Sequence, residues 1–170
     1  MIFHLSMNEH QMENKFSIIL VAVDGSSSSM KAAEFAIMMA EKGGPGMSEI
    51  SRSKLIALTA LDVSTPRSFL SSFIAAPTYG LKELEEERNQ AKQWMEKLRQ
   101  KAEDKKIPFR SEIIEGVTSA GTAITDYAAS HGISIIVVGT KGRSGVSKAF
   151  LGSVALRVVT HSSCPVIVVK

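Results

Sequence analysis

Apolar residues gather into five short runs, and the stretches between most of them carry apolar positions at helical spacing. Residues Ser17 to Val23 form a continuous β-rich run, the mark of a strand covered on both faces. Asp24-Gly25 breaks it, and Ser26 to Ser29 supply caps for a helix whose inward positions are Ala32, Ala33, Ala36, Ile37 and Ala40. Gly43-Gly44-Pro45-Gly46 ends that helix, and a polar loop runs on to Ser53. Leu55 to Val63 is a second buried strand. Leu81 to Lys106 is a long amphipathic helix with Leu81, Leu84, Ala91, Trp94, Met95, Leu98 and Ala102 on one face. Phe109 to Ile114 is a third strand, after which Gly116 is expected to turn the chain into a helix from Ser119 to Ser130. Ile133 to Val138, almost wholly apolar, is a fourth strand; a helix from Ser153 to Ser162 and a fifth strand, Pro165 to Val169, complete the chain.

Strands alternating with helices predict parallel pairing through right-handed crossovers, which makes this an α/β chain with one open, doubly wound five-stranded parallel sheet. The expected organisation is a loose amino-terminal tail over residues 1–14 and a single domain over 15–170. Residues 64–80 show no clear period but carry Phe69, Leu70, Phe73 and Ile74, so they read as a loop that packs on something.

Composition narrows the function. The chain has 170 residues, 44% hydrophobic and 22% charged, as in ordinary soluble domains. A net charge of +3 does not announce a nucleic-acid binder, but its distribution matters. No carboxylate follows Asp126, whereas Lys141, Arg143, Lys148, Arg157 and Lys170 do, a positive end suited to an anionic small ligand. Cys164 is the only cysteine, so no intrachain disulfide forms and a reducing cytoplasm is the natural home. The four histidines have no ligand-like spacing, no apolar run is long enough to span a bilayer, and residues 1–14 do not form a secretory signal.

In an open parallel sheet, ligands bind beyond the carboxyl ends of the strands, where the strand order reverses. Asp24-Gly25 stands at one such end and Gly139-Thr140-Lys141-Gly142 at another. Gly139 is expected to let a ligand lie close to the backbone, and Gly142 and Gly145 to take positive φ and turn N–H groups inward as an anion nest. Gly152-Ser153 then opens a helix whose unpaired N–H groups favour phosphate, with the Ser153 hydroxyl as a further donor. Other nucleotide and hydrolase motifs fail on their residues. Ser147 and Ala149 break the match to a P-loop, no G-x-G-x-x-G follows the first strand, and no G-x-S-x-G elbow occurs.

Gly139-x-x-Gly142, nine residues, then Gly152-Ser153 resembles the G-x2-G-x9-G-[S/T] signature of ATP-binding universal stress proteins. The resemblance extends from about Lys15 to Lys170 and includes the opening run through Asp24-Gly25-Ser26 and the closing run from Leu151 to Val169. It implies an adenine nucleotide alpha hydrolase-like, Rossmann-like sheet in the order 3-2-1-4-5. It also implies that Ala22, Val23 and Asp24 line the adenine and ribose end and that Ala60 faces the base. Val138 and Gly139 would flank the nucleotide, while Gly142, Gly152, Ser153 and Val154 meet ribose and phosphates. ATP is the implied ligand, with Mg²⁺ or Mn²⁺ held through its phosphates; no catalytic residue and no protein metal site are implied. A homodimer through the last strand is implied too, and an apolar edge strand left bare agrees with that.

The function expected is therefore a cytoplasmic, nucleotide-loaded switch or adaptor in stress response. Its rivals are slow ATP hydrolysis or phosphoryl transfer, with Asp24 as the one obvious carboxylate near the site to help hold Mg²⁺, and a dimeric interaction module whose pocket is vestigial.

Overall fold

The computed structural model describes residues 16–42, 53–62, 78–142 and 151–170. Five strands, β1 (Ile18–Ala22), β2 (Lys54–Asp62), β3 (Phe109–Val117), β4 (Ile135–Gly139) and β5 (Val166–Val169), alternate with four helices among the described residues. The helices are α1 (Ser27–Lys42), α2 (Thr78–Asp104), α3 (Ala120–Ser130) and α4 (Ser153–His161). The sheet runs β3-β2-β1-β4-β5 with every pair parallel, the order the family resemblance implies. Its switch point lies between β1 and β4, where Ile19, Leu20 and Val21 pair with Ile135, Ile136 and Val137.

Alternation along β1 builds two cores. Ile19 and Val21 face α1 and α2, packing with Ala32, Ala33, Ala36, Ala40, Met95, Leu98 and Ala102. Leu20 faces α3 and α4 with Ile124, Tyr127, Ala128, Ala155 and Val158. The alanines on α1 leave no bulk between helix and sheet, so the backbone of α1 lies close over the carboxyl ends of β1 and β4.

Three local expectations are corrected. Helix α2 begins at Thr78, three residues before Leu81, so its first turn falls within the stretch read as loop. Strand β4 runs Ile135–Gly139, two residues later at its start than expected, although the Ser134 N–H already donates to the Ile18 carbonyl of β1 at 2.9 Å. Gly116 does not end the third strand. It lies inside β3 at φ +73, and the pairing steps from Leu61↔Glu115 to Asp62↔Val117 across it, so it is the extra residue of a β-bulge. Left-handed φ is the bulge's requirement, and the turn into α3 is made afterwards, with the Ser119 hydroxyl accepting from the Thr122 N–H at 3.4 Å. The tail, the loop over 43–52 and Phe69, Leu70, Phe73 and Ile74 lie outside the described residues.

The two sheet edges differ in chemistry. Edge strand β3 carries Arg110, Glu112 and Glu115, with Arg88 of α2 bridging to Glu115 and Arg110 to Glu112. Such charges discourage pairing with another chain. Edge strand β5 reads Val-Ile-Val-Val and is half-buried throughout.

Candidate functional site

A cavity of about 270 Å³ opens at the switch point, above the carboxyl ends of β1, β2 and β4. All ten residues singled out from the sequence line it: Ala22, Val23, Asp24, Ala60, Val138, Gly139, Gly142, Gly152, Ser153 and Val154. One wall is apolar, from Ala22, Leu58, Ala60, Ile124, Val138 and Ala120. Gly139, Lys141 and Gly142 and the first turn of α4 supply the polar part of the lining. Arg143, Gly145 and Lys148, which the sequence reading also placed in this loop, lie outside the described residues.

Strand ends fix the apolar wall. The Val23 N–H donates to the Leu58 carbonyl at 2.8 Å, carrying the β1–β2 ladder one residue beyond the strand. The buried Thr59 hydroxyl donates to the Val23 carbonyl at 2.7 Å, so the turn after β1 is tied to β2 from both polar groups of Val23. Asp24 follows at once. Its Oδ1 accepts from the Ser26 N–H at 3.0 Å and the Ser26 hydroxyl at 2.6 Å, a short-range turn that holds the side chain at the cavity's lining. Gly25 takes φ +77 to complete that turn.

The polar wall owes its shape to glycines, for reasons that differ from those read in the sequence. Gly139 makes room for the protein rather than for a ligand: a Cβ there would stand 2.6 Å from the Ser28 carbonyl carbon and 2.7 Å from the Ser28 hydroxyl. Gly142 does not adopt positive φ, as a nest would need. A Cβ on it would instead stand 2.9 Å from Asp24 Oδ2, so its bareness lets the loop close down on that carboxylate. Gly152 is the N-cap of α4 and offers no side-chain acceptor, so the N–H groups of the first turn are left uncapped at the cavity. The Gly152 N–H itself donates to the Thr140 carbonyl at 2.8 Å, joining the two ends of the loop.

Lys141 and Ser29 also line the cavity and were not singled out as site residues. Ser29 is buried, its hydroxyl accepting from the Asp24 N–H at 3.3 Å and donating to the Ser26 carbonyl at 3.0 Å. Ser26 caps α1 through the Ser29 N–H at 3.2 Å, as its position before the helix suggested. The signal for the other serines was present in the run Ser26 to Ser29, but a capping pattern does not say which hydroxyls will face a distant loop.

In chemical terms the cavity offers an apolar lining, one carboxylate, and an uncapped helix N-terminus with a positive dipole end. It suits a ligand with a flat apolar part at one end and an anion at the other. Comparison with known proteins agrees with the architecture. The Methanocaldococcus jannaschii universal stress protein MJ0531 is 31% identical over 160 residues, covering 93% of this chain and 84% of that protein. The solved universal stress protein UspA from Lactobacillus plantarum superposes with a TM-score of 0.74 at 28% identity, covering 91% of this chain and 98% of that one. A universal stress protein family protein from Arabidopsis thaliana, solved with AMP bound, shares the fold at a TM-score of 0.60 and 17% identity, with 91% of each chain covered. The sequence model of the universal stress protein family matches residues 15–170, and the chain belongs to that family.

Proposed function

We propose that this chain binds an adenine nucleotide, ATP in particular, in the switch-point cavity and acts as a nucleotide-loaded switch or adaptor in stress response. The observation that carries the reading is that apolar strand-end residues and an uncapped helix N-terminus line one cavity. The apolar slot suits a base, and the uncapped first turn of α4 suits phosphates. The residues present fit such a ligand, because Gly152 caps α4 without a side-chain acceptor and so leaves the N–H groups of the first turn to a phosphate at the cavity. The AMP bound to the Arabidopsis protein of the same fold is in keeping with this reading. Mg²⁺ or Mn²⁺, where bound, would be held through the phosphates and would neutralise part of their charge; Asp24 is the carboxylate among the described lining residues. Mass analysis of ligand released on denaturing the purified protein, followed by titration with ATP, AMP and adenosine, tests the reading. A protein that carries no nucleotide and binds none in titration would refute it.

Binding is expected to exceed turnover. Main-chain N–H groups that hold ground state and transition state alike do not accelerate chemistry. Hydrolysis requires a positioned water and charge stabilisation particular to the transition state. Turnover is therefore expected far below the ~1–100 s⁻¹ of kinases. Single-turnover assays with Mg²⁺ and with Mn²⁺ decide it. Rapid hydrolysis that vanishes in Asp24→Ala, with ATP affinity unchanged, would make the protein an enzyme.

The cytoplasmic homodimer belongs to the same proposal. Among the described residues no helix is long and apolar enough to cross a membrane. The uncharged edge of β5 is flanked by α4, whose Leu156 is 55% exposed and Val159 46% exposed. A second copy meeting the first across β5 would cover strand edge and helix face together. Lysine at both Leu156 and Val159 is expected to give monomers by light scattering with little change in melting temperature, since neither side chain is in the core. Wild-type protein that is already monomeric at high concentration would overturn the dimer.

A further inference from the structure

Helix α1 opens on consecutive serines, and capping uses the hydroxyl of Ser26. The hydroxyl of Ser28 does something else. It donates to the Lys141 carbonyl and accepts from the Lys141 N–H at 3.3 Å, a contact between residues 113 positions apart. One side chain thus engages both main-chain polar groups of a single loop residue. The Ser26 hydroxyl lies 3.3 Å from the same carbonyl but also 2.6 Å from Asp24 Oδ1. Having one proton, it gives that proton to the closer and charged acceptor, which leaves Ser28 as the donor to Lys141.

The contact leaves no slack. Ser28 sits over Gly139, where its hydroxyl would be 2.7 Å from an added Cβ. The next residue, Thr140, is anchored from other sides: its N–H donates to the Val169 carbonyl at 2.9 Å and its carbonyl accepts from the Gly152 N–H at 2.8 Å. The chain leaving β4 is therefore fixed through Lys141, directly before Gly142 meets Asp24.

We propose that Ser28 is a positioning residue for the phosphate end of the cavity. By holding both polar groups of Lys141 it fixes the path of the loop opposite Gly152 and the first turn of α4. It acts on how well a phosphate chain is received, and not on the base slot. A loop ordered beforehand does not have to be ordered on binding, so the benefit is confined to ligands that touch the loop. The inference rests on the nucleotide-binding reading above.

The test separates the two. Titration of wild type with ATP and with adenosine examines the nucleotide reading; the same titrations on Ser28→Ala examine the clamp. Expected is a loss of ATP affinity of about five- to twentyfold, with adenosine affinity within about twofold of wild type. Equal losses for both ligands would mean a general structural role and overturn the proposal, as would no loss for either. A wild type that binds neither ligand overturns the nucleotide reading and this proposal with it. Hydrogen exchange of the Lys141 amide in ligand-free wild type gives a readout that depends on no variant folding. Protection is expected there, with faster exchange in Ser28→Ala, and an unprotected Lys141 amide in wild type would remove the clamp altogether.

Discussion

Gly152→Val is expected to weaken ATP binding by about 1–3 kcal/mol, roughly a five- to 150-fold rise in Kd, while the sheet and its helices stay folded. The reason lies in what surrounds the residue. Gly152 joins the returning loop to its start by donating its N–H to the Thr140 carbonyl, and a Cβ there would stand 3.3 Å from that carbonyl oxygen and 3.4 Å from Lys141 Cα. A Cβ alone is tight, and the two γ-methyls of valine add bulk beside the main chain of Thr140 and Lys141. Relief comes by parting the loop's two ends, which moves Gly142 and the first turn of α4 away from each other. Titration calorimetry beside a thermal melt distinguishes a lost site from a lost fold. Gly152→Ala, with less bulk, is expected to fall between wild type and valine. Equal ATP affinity in folded wild type and folded valine variant would refute a phosphate site at this helix.

The largest loss of stability is expected at Gly25. Its φ of +77 is unfavourable for any residue with a side chain, and a Cβ would come within 2.1 Å of the Trp94 ring. Left-handed backbone costs an L-residue about 1–2 kcal/mol, and forcing bulk into a packed contact about 1–3 kcal/mol more. Gly25→Ala is thus expected to destabilise by roughly 2–5 kcal/mol in urea unfolding. The two causes separate in a double-mutant cycle. Adding Trp94→Leu should recover the packing share and leave the backbone share. If Trp94→Leu recovers nothing, the ring is not what opposes the side chain. Because Gly25 follows Asp24 and precedes the Ser26 cap, the same variant should also disturb nucleotide affinity, through the carboxylate's turn rather than through direct contact.

Much of this was legible beforehand, and particular residues say why. The apolar runs of β1 and β4 are covered on both faces, so they read as strands without help from their neighbours. The spacing of Gly139, Gly142 and Gly152 is visible in the sequence because at each of these positions a side chain would crowd neighbouring atoms. The causes at single glycines were not legible. Gly139 was read as room for a ligand and is room for α1; Gly142 was read as a source of positive φ and is clearance for Asp24. Gly116 was read as a turn because a glycine after a short apolar run usually marks one. A bulge needs a partner strand to count against, and β2 is about fifty residues away in sequence.

The sequence by itself determined the class of fold, the alternation of elements, the positive carboxyl-terminal end and the glycine-rich loop after the fourth strand, while the family resemblance supplied the other residues gathered at the cavity. The former follow from local periodicity, local composition or spacing within one loop. Only the tertiary structure decided that α1 lies against the carboxyl end of β4, close enough for Ser28 to hold Lys141, and that Trp94 closes over Gly25. It also decided that of two edge strands one is guarded by ion pairs and the other left uncharged beside exposed Leu156 and Val159. These are contacts between segments tens of residues apart. They depend on how closely packed layers approach, and no pattern read along one strand of the chain carries that distance.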